Sequence, residues 1–103
     1  MLTVEVRFPG AKEEYIASAL VDSGASYNFI SLKLVKLLGW YYAEHKTVSV
    51  CLIDGSMVQS HSVCSGLVSI GPLWHVLEFL VLDLTFDMVL GMPWLKFSNV
   101  NID

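Results

Sequence analysis

Turn-forming pairs at Pro9-Gly10, Asp54-Gly55 and Gly71-Pro72 cut this chain into short apolar runs of strand length. Leu2, Val4, Val6 and Phe8 alternate with Thr3, Glu5 and Arg7, the period of two that turns one face of a strand to a core. Tyr15 to Val21 reads as the returning arm of that hairpin. Thr47 to Leu52 and Met57 to Val63 flank Asp54-Gly55 as a second one. Leu67 to Ile70 and Val76 to Leu82 supply two more strands, and Asp87 to Leu90 is a last apolar strand running into Gly91. Helical signals are few. Ser31 can cap a helix over Leu32 to Leu38, apolar at Leu34, Val35, Leu37 and Leu38 and stopped by Gly39, and Pro93 suits the first turn of a helix through Phe97. The expected domain is mainly β with one or two short helices.

With 103 residues the chain is read as one domain, residues 1–103, with room for a core but not for two lobes. Hydrophobic residues make up 54% and charged residues 16%, so some apolar area is expected to face a partner. Glu78, Asp83 and Asp87 interrupt the longest apolar stretch, and no run approaches the roughly 20 residues that span a bilayer, so no membrane partner is expected. Glu5, Glu13 and Glu14 lie among the N-terminal apolar residues where a secretory signal would have a basic start and an unbroken apolar core. A net charge of −4, with six dispersed Lys and Arg, argues against a nucleic-acid face.

Asp22-Ser23-Gly24-Ala25 follows directly on the apolar run Ala19-Leu20-Val21, which places an acid at a strand end, in a loop of small residues. Amide hydrolysis without a metal or a side-chain nucleophile needs a base to activate water and an acid to protonate the carbonyl oxygen and then the leaving nitrogen. Two carboxyl groups about 3 Å apart, sharing one proton, do both. The motif occurs once, so a dyad requires a second copy of the chain across a two-fold axis. Gly24 lets backbone approach the acid, Ala25 leaves room for a peptide, and the hairpin around Asp54-Gly55 is a candidate lid.

Other chemistries find less support. Ser23 lacks the nucleophile-elbow context, and His45, His61 and His75 show no metal-ligand spacing and read as surface or satisfied polar residues. Cys51 has no electropositive surroundings. Cys51 and Cys64 read as free, buried thiols, although a hairpin could bring them face to face. Neither a metal nor an organic cofactor is expected. Trp40, Tyr41 and Tyr42 read as packing residues, since no basic residues interleave with them.

The succession Ala19-Leu20-Val21-Asp22-Ser23-Gly24-Ala25-Ser26, Asn28-Phe29-Ile30, Asp54-Gly55-Ser56 and Met88-Val89-Leu90-Gly91-Met92-Pro93-Trp94-Leu95 resembles retropepsins, in particular the protease domains of gypsy-type LTR retrotransposons and genes domesticated from them. The resemblance implies a closed β-barrel of the acid protease fold, assembled as a two-fold symmetric homodimer. It implies Asp22 as catalytic acid, Ser23 as a hydroxyl interlocking with the partner loop, and Gly24 completing the catalytic loop. Ala25 and Ser26 would line the substrate, together with a flap over Val50 to Val63 whose tip, Ile53, Asp54, Gly55, Ser56 and Met57, closes on the peptide. Leu90-Gly91 would pack behind the site loop, and Asn99 to Asp103 would join the subunits. Many retroviral members carry an acid where Ser26 stands and an arginine where Met92 stands, a bracing pair that this sequence lacks as a pair.

The function so implied is aspartic endopeptidase activity, processing a retroelement polyprotein through a water activated by one Asp22 from each subunit. It implies an intracellular setting, in the cytoplasm or in retroelement particles. The alternative is a catalytically inactive domain of the same fold, used for dimerisation or peptide binding.

Overall fold

The computed structural model describes residues 2–9, 15–52 and 55–97. Strand β1 (Thr3–Arg7) pairs antiparallel with β2 (Ile16–Val21), with Thr3 opposite Leu20 and Arg7 opposite Ile16. Beyond β2 lies β7 (Met88–Leu90), parallel to it. Next comes β3 (Phe29–Ser31), antiparallel to β7 and parallel to β6 (Leu73–Leu82). Strand β5 (Met57–Ile70) pairs antiparallel with β6 and returns to β1 where Arg7 meets Ser69. That pairing closes the sheet into a six-strand barrel, and β4 (Tyr42–Cys51) is added outside the ring along β5.

The short strands β3 and β7 are buried on both faces, which is why they read as continuous apolar runs. Ile30, Met88, Leu90, Phe79 and Val81 point into the barrel with Val6, Ala17 and Ala19. Their neighbours Phe29, Val89, Leu80 and Leu82 point the other way and form a second apolar cluster with Val50 of β4. Alternation along each strand therefore builds two cores, one inside the barrel and one beneath the β4–β5 hairpin.

Helix α1 (Leu32–Leu38) forms where predicted. The Ser31 hydroxyl accepts the Leu34 N–H at 3.0 Å, and Gly39 closes the helix at φ +70°, donating to the Lys36 carbonyl. Leu34 and Val35 are buried, whereas Leu37 faces solvent. Helix α2 (Met92–Phe97) begins one residue before Pro93 and buries Trp94 and Leu95.

Three sequence expectations are corrected. Met57 to Val63 and Leu67 to Ile70 are one 14-residue strand, because Gly66 is not a turn: it lies in the β5–β6 ladder opposite Leu77, where the Trp40 ring covers it. Strand β4 starts at Tyr42, before the predicted Thr47, with a register shift between Glu44 and Val48 that admits the extra length. Of the aromatic trio only Trp40, partly buried, packs against the core, while Tyr41 is 84% exposed.

The cysteines are both free. Cys64 is buried as expected but Cys51 is exposed, and the hairpin register sets them opposite Tyr42 and Met57 instead of each other. Among the described residues, no helix is long and apolar enough to cross a membrane.

Candidate active site

Asp22 follows the last residue of β2, and the parallel pairing of β2 with β7 continues through its backbone: the Asp22 N–H donates to the Leu90 carbonyl at 2.9 Å. The chain then turns tightly, with the Ala25 N–H donating to the Asp22 carbonyl at 3.1 Å. Within that turn the Gly24 N–H donates to Asp22 Oδ1 at 2.9 Å. A Cβ on Gly24 would stand 3.3 Å from the same oxygen, so a side chain there would crowd the carboxylate. The carboxylate is half-buried, held by a backbone donor and open on its outer side.

The loop after Asp22 is clasped by the start of α2. Residues 90, 91 and 92 engage it in succession: Leu90 accepts from the Asp22 N–H, the Gly91 N–H donates to Asn28 Oδ1 at 2.9 Å, and the Met92 N–H donates to the Ala25 carbonyl at 2.9 Å. Gly91 is required by this closeness. A Cβ there would fall 2.7 Å from the Ala25 carbonyl oxygen and still closer to that of Tyr27. The expected packing of Leu90-Gly91 behind the site loop is realised in these bonds.

Asp22 opens into a cleft lined by Leu20, Phe29, Phe86 and Val89 from the barrel and by Cys51 and Leu52 from the end of β4. The hairpin thus roofs the acid. Near its tip, the Leu52 N–H donates to the Ser56 carbonyl at 2.8 Å and the Gly55 N–H to the Leu52 carbonyl at 2.9 Å, with Gly55 at φ +86°. Gly55, Ser56 and Met57 are exposed on the hairpin and do not line the cleft. Ser23 and Ser26 are exposed on the loop, and Ala25 is partly covered by Gly91. The predicted Ile53 and Asp54 lie outside the described residues, as do Asn99 to Asp103.

The cleft walls were not among the predicted substrate residues. Leu20 had a signal, since it shares the strand face of Asp22 at a spacing of two. Val89 stands beside Leu20 in the parallel register, while Phe86 and Leu52 come from loops. Among the described residues no three His, Cys, Asp or Glu side chains gather in a way that could hold a metal. His61 Nδ1 lies 3.0 Å from Thr47 Oγ1 across the hairpin, and His75 is buried on β6.

A family model described as the PEG10/RTL1 protease domain matches residues 18–103, from the middle of β2 to the end. Among solved structures, the retroviral protease-like domain of Ddi1 from Leishmania major aligns over 100% of this chain and 78% of that one, at 22% identity and a TM-score of 0.69. EIAV protease, solved with the inhibitor HBY-793, aligns over 99% of this chain and 91% of that one, at 14% identity and a TM-score of 0.74. At these identities the two likenesses establish the fold. A comparison with curated proteins gave no match.

Proposed function

The chain belongs to the PEG10/RTL1 protease domain family, a retropepsin-like aspartic protease domain, and from that premise we propose that it is a homodimeric aspartic endopeptidase to which each protomer contributes Asp22. The observation that carries this reading is the presentation of Asp22. Its backbone is pinned to Leu90, its Oδ1 is held by the Gly24 N–H, and its outer side opens into an apolar cleft beneath a hairpin.

In the proposed dimer one Asp22 is ionised and its partner protonated. The ionised carboxylate takes a proton from water as the oxygen attacks the scissile carbonyl carbon, and the protonated one gives its proton to the carbonyl oxygen. The tetrahedral gem-diol then collapses. The amide nitrogen accepts a proton from one Asp22 while a gem-diol hydroxyl gives its proton to the other, the C–N bond breaks, and a carboxylic acid and an amine leave a dyad that again holds one proton. Ser23, exposed on the loop, is the candidate contact to the partner loop, and Gly24, Ala25 and Ser26 form the floor under the peptide. Leu20, Phe29, Leu52, Phe86 and Val89 favour apolar substrate side chains beside the scissile bond. Gly55, Ser56 and Met57, exposed on the hairpin, lie where its closing would meet the peptide. The substrate class proposed is a polyprotein, the chain's own precursor first.

The test is peptide cleavage by purified dimer, compared between wild type and Asp22→Asn, with sedimentation to fix the assembly state. Wild type is expected to cut and the variant to lose activity while remaining folded and dimeric. Equal behaviour of the two would sink the enzyme reading. A folded dimer that binds peptides without cutting them would leave the domain a peptide-binding module.

A further inference from the structure

We propose that Asn28 is a positioning residue that sets the Asp22 loop, an inference that rests on the aspartic endopeptidase reading. Asn28 is 2% exposed, and both ends of its carboxamide are used. Its Oδ1 accepts the Gly91 N–H at 2.9 Å, and its Nδ2 donates to the Glu78 carbonyl at 3.3 Å. Its own carbonyl accepts the Leu80 N–H at 2.9 Å. One side chain therefore joins the end of the site loop, the turn before α2 and strand β6.

The Gly91 bond is the middle contact of the clasp formed by residues 90 to 92, between the bond that fixes the Asp22 backbone and the bond that fixes Ala25. Without it the Gly91 N–H is buried with no acceptor, and the turn that presses on Ala25 and Tyr27 loses its anchor. An amide fits both partners at any pH, whereas an ionised carboxylate does not. Gly91 presents a donor and Glu78 an acceptor, so the group between them must accept at one end and donate at the other. A carboxylate satisfies the first and repels the second. A dyad tolerates little displacement of its acids, so the effect falls on the chemical step more than on binding of the peptide.

The experiment uses the full chain and one peptide substrate, with wild type, Asn28→Ala and the isosteric Asn28→Asp. Unfolding and sedimentation are measured at each pH, and NMR follows amide exchange at Gly91 and Gly24. Asn28→Ala is expected to lower kcat by about tenfold or more with KM within about threefold, and to speed exchange at Gly91. Asn28→Asp is expected to be impaired at high pH. Its activity recovers as pH falls, because the protonated carboxyl donates to Glu78 while its other oxygen accepts from Gly91. Should Asn28→Ala fail to fold, the Asn28→Asp pH profile decides alone. Folded, dimeric variants with kcat within about twofold of wild type at every pH would overturn the proposal. If wild type cleaves nothing, the endopeptidase reading fails separately. The positioning role is then judged on exchange, and Gly91 and Gly24 amides unchanged in both variants would overturn it.

Discussion

The indole of Trp40 lies flat enough on the backbone of Gly66 that a Cβ at residue 66 would fall inside the van der Waals surface of the ring. Trp40 leaves α1 just after Gly39, and its ring also meets Phe8 edge-on at 5.6 Å and Phe79 at 6.2 Å. The contact fastens the helix end to the middle of β5, the strand that runs from the hairpin to the barrel closure at Ser69.

Gly66→Ala is expected to destabilise the domain by about 1–3 kcal/mol, since the ring cannot move aside without disturbing two other aromatic contacts. The corresponding fall in Tm is roughly 5 °C or more, read by thermal unfolding. Combining it with Trp40→Leu should give a non-additive result, with part of the loss recovered because the smaller side chain makes room for the methyl. Strict additivity would show that residues 40 and 66 are not coupled.

Gly91→Ala carries the same steric argument into the site. The added Cβ would press on the carbonyl oxygens of Ala25 and Tyr27, both in the loop that follows Asp22. The expected outcome is a stability loss of about 1–3 kcal/mol with peptide cleavage reduced beyond what the unfolded fraction accounts for. Cleavage per folded dimer, measured well below the Tm, separates the two effects. A variant as active per folded molecule as wild type would show that the turn can yield without moving Asp22.

Ser31→Ala removes the hydroxyl that accepts the Leu34 N–H and leaves that buried donor unpaired at the start of α1. A loss of about 1 kcal/mol is expected from chemical denaturation, with the m-value unchanged. The cap sits between β3 and α1, far enough from Asp22 in the chain that cleavage per folded molecule should be preserved.

Local signals carried much of this fold. Period-two alternation marked the strands, Ser31 and Gly39 bracketed α1, and Asp22 at the end of an apolar run marked the site loop. What escaped the sequence depends on partners distant along the chain. The residues between Val63 and Leu67 carry no strong strand signal of their own, and only the ladder to β6, with Trp40 laid over Gly66, makes one long strand of two runs. The cleft wall needs the parallel register that sets Leu20 beside Val89. Asn28 stood out only as part of a motif, because its acceptor role is fixed by Gly91, 63 residues away.

The two cysteines should separate by reactivity and by pH. Cys51 is exposed at the cleft mouth, whereas Cys64 is buried and desolvation pushes its thiol up from the ordinary 9.0 to about 11. In native protein near neutral pH, an alkylating reagent should modify Cys51 alone, with Cys64 reacting only in denaturant. The raised value also makes stability depend on pH. Between about 9 and 11 the unfolded chain has released the Cys64 proton and the folded chain has not, so ionisation favours unfolding. The contribution is therefore full below about 9, falls as pH rises, and is lost above about 11, a span of about 2–3 kcal/mol. Other groups titrate in the same range, so the measurement is the difference in unfolding free energy between wild type and Cys64→Ala across that window. A difference independent of pH would show that burial does not hold the thiol neutral.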